Sequence, residues 1–342
     1  MMETLKETIR LIDPDLRTDL IESSVEINQL SLFLDEAFPV QSPGRFFDDF
    51  PLWESRHPDI QVRRWGVYKG GRLIASTGCR ISWLKSGKSR IRIALIGAVA
   101  THTEVRGKGI ASKLVQQAVE WARESGALAV FLWGSEHALY RKLGFELSGV
   151  QLRTPLSKLE LPDPEAGIAR GWNPKLFELL KKREGGLALR ERDKDWWCRH
   201  KNVEWFWSGD LEAPRAYAAY GRGIDLKGMI HEWGGEQTEL KSLLASIAAL
   251  YPEAEILGSP WHFSKAGLPV LGDCVEYLCL AKILNHEKLL EAFFPDGAVK
   301  TEIFFGMEDK QIVKVLFGPD PEGEYPSKNL PVPLWFWGLD AV

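Results

Sequence analysis

The chain has 342 residues, long enough for two or three domains, and its 45% hydrophobic and 26% charged content is ordinary for a globular protein. Its net charge of −4 argues against a general nucleic-acid binder, because such proteins carry an excess of basic residues. No apolar run approaches the roughly 20 residues of a membrane span, and Met1 to Arg10 lacks the apolar core of a signal peptide. We therefore expect a cytoplasmic protein with neither nucleic acid nor a membrane as a partner.

The cysteine and histidine spacings predict neither a disulfide framework nor a metal site. The four cysteines contain no Cys-x-x-Cys pair, and the seven histidines are scattered along the chain. We expect reduced thiols that act as small packing groups at Cys79, Cys198, Cys274 and Cys279.

The first hundred residues predict one helix and a meander of strands. Apolar residues at helical spacing indicate the helix, and a Gly-Gly pair marks a hairpin turn between two of the strands. The predicted elements are a short strand Thr8–Ile12, a helix Ile27–Ala37, a loop Pro39–Pro51, strands Val62–Tyr68 and Leu73–Trp83 joined at Gly70-Gly71, and a strand Ser89–Ala100.

A glycine-rich basic turn, Arg106 to Ala111, lies between an apolar strand and a periodic helix, Ile110 to Ala122. A turn in this position directs main-chain N–H groups and a helix N-terminus toward an anion. Gly107 and Gly109 lack a Cβ atom, so a phosphate can approach the main chain, and Arg106 and Lys108 add positive charge. The pattern indicates a pyrophosphate site. The alternative is a plain turn with basic surface side chains.

The chain beyond this helix predicts a buried strand and a short helix. Ala127 to Trp133 is nearly all apolar, as expected of a parallel strand that is covered on both faces. Ser135 is predicted to cap a helix over His137–Leu143, and a strand over Phe145–Arg153 follows.

A second run of elements follows a Pro-rich boundary at residues 155–171. Many of the 14 tryptophans lie after position 190, which suggests cores or clefts built on large rings. Leu330 to Val342 is apolar and aromatic, so we expect this segment to be docked. The predicted elements are helices Leu176–Lys182, Thr238–Leu250, His286–Phe293 and Lys310–Leu316, and strands Ala216–Tyr220, Leu226–Trp233, Glu255–Leu257, Tyr277–Ile283 and Thr301–Gly306.

Two motifs resemble those of the Gcn5-related N-acetyltransferases (GNAT). They are Arg-x-x-Gly-x-Ala at Arg106–Ala111 and Tyr-x-x-x-Gly-Phe at Tyr140–Phe145. The resemblance implies an α/β fold with a mixed sheet over residues 1–153, with acetyl-CoA as co-substrate. Residues 154–284 are read as a degenerate GNAT-like second half. There Gly221-Arg222-Gly223 joins two strands and leaves no helix N-terminus for a phosphate, so a hairpin turn is favoured. Residues 285–342 form a short C-terminal segment, read as a sterol-carrier-like remnant.

The tandem layout, together with Ser135-Glu136 followed by Tyr140, is similar to the enhanced-intracellular-survival (Eis) acetyltransferase family. The resemblance implies that Tyr140 is the general acid and that the terminal carboxylate, here that of Val342, is the general base. The sequence does not determine the oligomeric state, although that family forms higher oligomers. The resemblance also implies contacts to acetyl-CoA from Ala98, Val99, Ala100, Thr101, Arg106, Gly107, Lys108, Gly109, Ile110, Ala111, Ser135 and Glu136.

The residues leave several functional alternatives open. Glu136 and His137 are other candidates for the base, and His102 and Glu104 are read as surface residues. Acids at Asp48 and Asp49 would attract an ammonium group, although a solvated loop explains them equally well. The leading hypothesis is acetyl transfer to a primary amine, on an aminoglycoside-like polyamine, a protein lysine or a small metabolite. The alternatives are a non-catalytic acyl-CoA sensor and an acyltransferase for longer chains.

Overall fold

The computed structural model describes residues 2–38, 45–87, 89–164, 167–271, 275–319, 325–327 and 329–342. The helices are α1 Met2–Ile12, α2 Ser24–Ala37, α3 Phe46–Asp49, α4 Ile110–Glu124, α5 His137–Lys142, α6 Leu176–Lys182, α7 Lys194–Trp197, α8 Gln237–Leu250, α9 Pro260–Lys265, α10 His286–Phe293 and α11 Asp309–Phe317. The strands are β1 Leu16–Leu20, β2 Val62–Lys69, β3 Arg72–Ser86, β4 Ser89–Thr101, β5 Ala129–Leu132, β6 Glu146–Pro155, β7 Ala169–Arg170, β8 Glu204–Gly209, β9 Pro214–Tyr220, β10 Met229–Gly235, β11 Glu255–Gly258 and β12 Val275–Ile283.

All the described strands form one mixed sheet of twelve, in the order β1-β2-β3-β4-β5-β12-β6-β11-β10-β9-β8-β7. The order is symmetric about the central antiparallel pair of β12 and β6. On one side of this pair β4 and β5 are parallel, and on the other side β10 and β11 are parallel. The two halves therefore exchange a strand, since β12 lies beside β5 and β6 lies beside β11. The predicted mixed α/β sheet is confirmed.

Local sequence signals fix most elements of the first half. A capping box begins α2, in which the Ser23 hydroxyl accepts from the Glu26 N–H at 3.2 Å and the Glu26 carboxylate accepts from the Ser23 N–H at 2.9 Å. The predicted hairpin at Gly70-Gly71 joins β2 and β3, and the predicted apolar strand appears as β5, buried along its whole length. The periodic helix after the glycine turn is α4.

Three predicted elements are wrong. The strand predicted at Thr8–Ile12 is part of helix α1, because the buried residues Leu5 and Ile9 are four apart and so share a helical face. Residues 39–44 of the predicted loop Pro39–Pro51 lie outside the described residues. The rest of that predicted loop contains helix α3, Phe46–Asp49. The strand predicted at Thr301–Gly306 is a 3-10 turn, Thr301–Phe304.

The end of the C-terminal segment, residues 330–342, is largely buried. The Trp337 ring packs edge-on against Trp233, with 5.5 Å between the ring centres, and the Phe336 ring packs edge-on against Trp133, with 5.2 Å between the centres. Trp335 packs edge-on against Trp337 at 5.7 Å. The buried residues of this end are Leu330, Val332, Leu334, Trp335, Phe336, Trp337, Leu339 and Asp340.

A buried charge cluster fixes this segment in place. The Arg183 guanidinium pairs with Glu232 of β10 at 2.6 Å and with Asp340, and all three side chains are at most 1% exposed. The Asp340 carboxylate also accepts from the main-chain N–H groups of Leu187 and Trp337, each at 3.0 Å. Burial lowers the pKa of Arg183, but Asp340 and Glu232 outweigh it and the net pKa is raised. The guanidinium therefore stays charged and holds both carboxylates.

Substituting Asp340→Asn should lower the free energy of unfolding by about 3 kcal/mol, because it leaves a buried guanidinium short of one anion. Urea unfolding followed by tryptophan fluorescence measures the change. Asp163→Asn, at an exposed position, is the matched control and should change stability by less than about 0.5 kcal/mol. Equal stability of the two variants would contradict the assigned role of the cluster.

Candidate functional site

The sheet opens where β4 and β5 separate. Their pairing runs from Ile93 opposite Ala129 to Ile96 opposite Leu132 and then stops, while β4 continues along β3. Strand β4 bulges there, and Ala98 has a φ of +50°. Such an angle is uncommon outside glycine and marks a backbone held by its surroundings. The Ser76 hydroxyl fixes the bulge by donating to the Ala98 carbonyl at 2.8 Å.

A cavity of about 640 Å³ lies at this opening. Its walls come from β4, from the chain after β5, from the second half and from the C-terminal segment. The lining residues are Phe38, Phe46, Asp49, Phe50, Gly97, Ala98, Val99, Trp133, Gly134, Ser135, Glu136, Tyr140, Gln151, Arg222, Ile224, Asp225, Leu226, His231, Leu257, Tyr277, Leu278, Trp335, Phe336, Trp337, Gly338, Ala341 and Val342.

The glycine-rich turn leaves the N-terminus of α4 uncapped. Gly107 and Gly109 have φ angles of +77° and +80°, and a Cβ atom added at either position would meet nothing within 4 Å. Gly109 provides no capping side chain, and the first turn of α4 carries no acidic residue. Arg106 is tied back to β4, because its Nε donates to the Thr101 carbonyl at 3.1 Å. The turn thus offers free main-chain N–H groups and basic side chains to an anion.

Tyr140 is held at the cavity by close packing on Gly134. A Cβ atom at Gly134 would lie only 2.8 Å from the tyrosine ring, and Phe145 packs edge-on against that ring at 6.2 Å. Burial, and then the charge of Glu136, raise the pKa of Tyr140 to about 12. The phenol therefore remains protonated at neutral pH and can donate a proton.

Ser135 and Glu136 line the same cavity, but the predicted capping role of Ser135 is wrong. The His137 N–H donates to the main-chain carbonyl of Ser135 at 2.8 Å, so the chain turns one residue later than predicted. Glu136 consequently occupies the N-cap position of α5, without a capping hydrogen bond from its side chain. Both residues are exposed on the wall of the cavity.

Val342 reaches the bulged strand. A Cβ atom built on Gly97 would lie 2.1 Å from the main-chain oxygen of Val342 and 2.9 Å from the Trp53 ring. A bare glycine at this position is what allows the last residue of the given chain to contact β4. Val342 and Tyr140 thus line one cavity, as does the chain from Gly97 to Val99.

The two neighbouring acids face different spaces. Asp49 is buried and lines the cavity, where its carboxylate accepts from the Asn202 amide at 2.7 Å, and burial raises its pKa. Asp48 pairs with Lys201 at 2.6 Å and lines a separate groove of about 900 Å³. Of these two acids, Asp49 therefore lines the cavity that Val342 also lines.

The second half contributes Arg222 to the cavity, a residue that the sequence places in a predicted hairpin turn. The Arg222 guanidinium donates to the Gly338 carbonyl at 2.5 Å, pairs with Asp225 and lies 4.5 Å from the centre of the Phe50 ring. It thereby joins the C-terminal segment to the wall of the cavity. The aromatic composition of residues 330–342 was the available signal, but no local pattern connects it with Arg222.

The other candidates lie away from the cavity. His102 contacts Arg72 at 3.1 Å, Glu104 is exposed, and neither they nor His137 line the cavity. Within the described ranges no group of three or more His, Cys, Asp or Glu side chains could hold a metal ion. Cys79, Cys198 and Cys279 are free thiols, and Cys274 lies outside the described residues. No helix in the described part of the chain is long and apolar enough to cross a membrane.

Two buried histidines support the C-terminal segment. His231 contacts the Gly221 carbonyl at 2.9 Å and packs against Gly338, while His262 contacts the Glu184 carbonyl at 3.0 Å. The His262 ring also lies 4.8 Å from that of Trp337. Burial lowers the pKa of both histidines to about 4, so both are neutral at pH 7.

Comparisons with known proteins agree with this geometry. Residues 23–148 match the family model of the acetyltransferase (GNAT) domain. An uncharacterized N-acetyltransferase of Methanocaldococcus jannaschii is 31% identical over 81 residues, which are 22% of this chain and 35% of that protein. The match thus spans about a third of that curated relative's length.

Several solved structures share the fold well beyond residue 148. A GCN5-related N-acetyltransferase from Kribbella flavida has a TM-score of 0.58 at 18% identity, covering 82% of this chain and 74% of that one. A GCN5-related N-acetyltransferase from Anabaena variabilis has a TM-score of 0.59 at 20% identity, covering 81% of this chain and 75% of that one. Eis1 from Mycobacterium abscessus has a TM-score of 0.54 at 16% identity, covering 81% of this chain and 75% of that one.

The buried histidines predict acid instability of the docked end. A group whose pKa falls from about 6.5 unfolded to about 4 folded stabilises the protein above pH 6.5, and that contribution is lost as the pH falls toward 4. The loss should be about 3 kcal/mol for each histidine at pH 4. Urea unfolding between pH 7 and 4.5 should show a shallower pH dependence for His262→Gln than for the wild-type protein. The exposed control His286→Gln should keep the wild-type slope, and an unchanged slope in His262→Gln would contradict the prediction.

Proposed function

Because residues 23–148 match the family model of the acetyltransferase (GNAT) domain, we propose that the protein transfers an acetyl group from acetyl-CoA to a primary amine. The main support for the proposal is that β4 connects the cavity with the glycine-rich turn. The strand borders the cavity at Gly97–Val99, and it leads within a few residues to the uncapped turn at Arg106–Gly109. A long ligand with a diphosphate and a distant thioester fits a site with an anion-binding turn at one end and a cavity at the other.

We assign acetyl-CoA to the face of β4, the glycine turn and the loop after β5. Main-chain N–H groups at the start of α4 and the charges of Arg106 and Lys108 would hold the diphosphate. The reactive group that acetyl-CoA supplies is a thioester carbonyl with a thiolate leaving group. The proposed contacts are Ala98, Val99, Ala100, Thr101, Arg106, Gly107, Lys108, Gly109, Ile110, Ala111, Ser135 and Glu136.

The cavity residues account for the proton transfers. The amine must be neutral to attack, and when Val342 carries a free carboxylate, that group can accept its proton beside Gly97. The Tyr140 phenol, which carries its proton at neutral pH, donates that proton to the sulfur as the carbon–sulfur bond breaks. A main-chain N–H near Val99 can stabilise the negative charge that develops on the carbonyl oxygen. The new carbon–nitrogen bond and the free thiol complete the balance.

Removing the phenol hydroxyl tests the proposed acid. Tyr140→Phe should lower kcat about 100-fold with little change in the Kd for acetyl-CoA, because the ring packing stays and only the proton donor is lost. Thiol release from acetyl-CoA with a panel of amines measures kcat, and calorimetry measures binding. Tyr277→Phe, a half-exposed tyrosine in the same cavity, is the matched control and should keep wild-type kcat.

Two outcomes would contradict the proposal. Full activity of Tyr140→Phe would exclude the phenol as the acid. Binding of acetyl-CoA without thiol release by the wild-type protein, whatever the amine, would indicate the alternative of an acyl-CoA sensor.

A methyl group on β4 tests the position of Val342. Gly97→Ala would place a Cβ atom against both Val342 and Trp53, whereas Gly78→Ala would place one against Trp53 alone, at 2.2 Å. Both variants should lose stability, but Gly97→Ala should also lose about 10-fold in kcat beyond Gly78→Ala, because it displaces the proposed base. The kcat of each variant is calculated per folded molecule, with the folded fraction measured by circular dichroism. Equal kcat in the two variants would exclude a role for Val342.

A further inference from the structure

Aromatic rings make up much of the cavity lining. Phe46 and Phe50 stack at 4.7 Å, and Trp133 meets Phe336 edge-on at 5.2 Å. We call this set the aromatic wall. It consists of Phe38, Phe46, Phe50, Trp133, Tyr277, Trp335, Phe336 and Trp337, all of which line the cavity. Flat rings at this density bury the apolar body of a ligand and leave little surface to hydrogen-bond the hydroxyls of a sugar.

The charges of the cavity favour one cation. Among the described residues that line the cavity, Arg222 carries the positive charge. Its guanidinium pairs with Asp225 and donates to the Gly338 carbonyl. Burial, and then the Arg222 charge, keep His231 neutral. Glu136 is exposed beside the proposed acetyl-CoA contacts. The carboxylate that remains for an acceptor is Asp49.

Asp49 is short of a counter-charge. It is 5% exposed, and among the described residues it has a hydrogen bond from the neutral Asn202 amide but no salt-bridge partner. A buried carboxylate without a paired cation is costly, and an ammonium group brought by a ligand relieves that cost.

We propose that the acceptor is a primary monoamine on an aromatic or similarly apolar body, an arylalkylamine, and not a polyamine or an aminoglycoside. The inference rests on the proposed acetyl transfer and specifies its acceptor. The ring packs on the aromatic wall, and Asp49 attracts the ammonium form. The ammonium group then gives its proton to the Val342 carboxylate, its nitrogen attacks the thioester carbonyl, and the carbon–sulfur bond breaks as Tyr140 protonates the leaving sulfur. A polycation would need several unpaired side-chain carboxylates, whereas Asp225 is paired with Arg222 and the Val342 carboxylate is assigned to the attacking amine, which leaves Asp49 among the described lining residues on the acceptor side.

Kinetics with the full chain test this acceptor class. Thiol release is followed with acetyl-CoA and 2-phenylethylamine, spermidine or kanamycin. We expect kcat/KM for 2-phenylethylamine to exceed that for either polycation at least 10-fold. Asp49→Asn should raise the KM for 2-phenylethylamine at least 10-fold with an unchanged Kd for acetyl-CoA. Asp48→Asn, the neighbouring acid that faces the other groove, should leave both values unchanged.

A second variant guards against misfolding of Asp49→Asn. Tyr277→Leu removes a half-exposed ring of the wall and should raise the KM for 2-phenylethylamine several-fold, whereas Tyr277→Phe should not. Preferred turnover of spermidine or kanamycin, or an unchanged KM in both Asp49→Asn and Tyr277→Leu, would overturn the inference while leaving acetyl transfer intact. Absence of thiol release with every amine, despite acetyl-CoA binding, would overturn the proposed function as well.

Discussion

The cavity depends on the buried pairing of Arg183 with Glu232 and Asp340. These three fully buried ionisable groups are stable together only because the guanidinium serves both carboxyl groups and two main-chain N–H groups satisfy the rest of Asp340. This cluster fixes the chain two residues before Val342. The last residue is thereby directed onto Gly97, where a larger side chain would exclude it. The buried charge cluster thus positions Val342 against the bulged part of β4.

The exchanged strands explain why one cavity draws on the whole chain. Because β12 lies between β5 and β6, the second half is an extension of the sheet of the first. The separation of β4 from β5 then opens toward residues of the second half, among them Arg222 and His231, and toward the docked C-terminal segment. A first half alone would have an open cleft at this place. The second half contributes part of the cavity wall.

Sequence patterns predicted the elements whose signals are local. The glycine turn, helix α4, strand β5 and the motif around Tyr140 each depend on residues close together in the chain, and all lie where the pattern puts them. The strand prediction at Thr8–Ile12 missed helix α1, in which Leu5 and Ile9 share one buried face. The exchange of β6 and β12 could not be predicted, because pairing of strands about 130 residues apart leaves no periodic trace in either strand. The different directions of Asp48 and Asp49 likewise depend on contacts with residues 201 and 202, far along the chain.

The most direct test is a crystal structure of the full chain with acetyl-CoA. The account predicts the diphosphate on the main-chain N–H groups at Gly109–Ala111, with the sulfur within about 3.5 Å of the Tyr140 hydroxyl. It also predicts the thioester in the gap that opens after the pair Ile96 and Leu132. Acetyl-CoA bound in the groove beside Asp48 and Lys201, with the gap between β4 and β5 empty, would contradict the account.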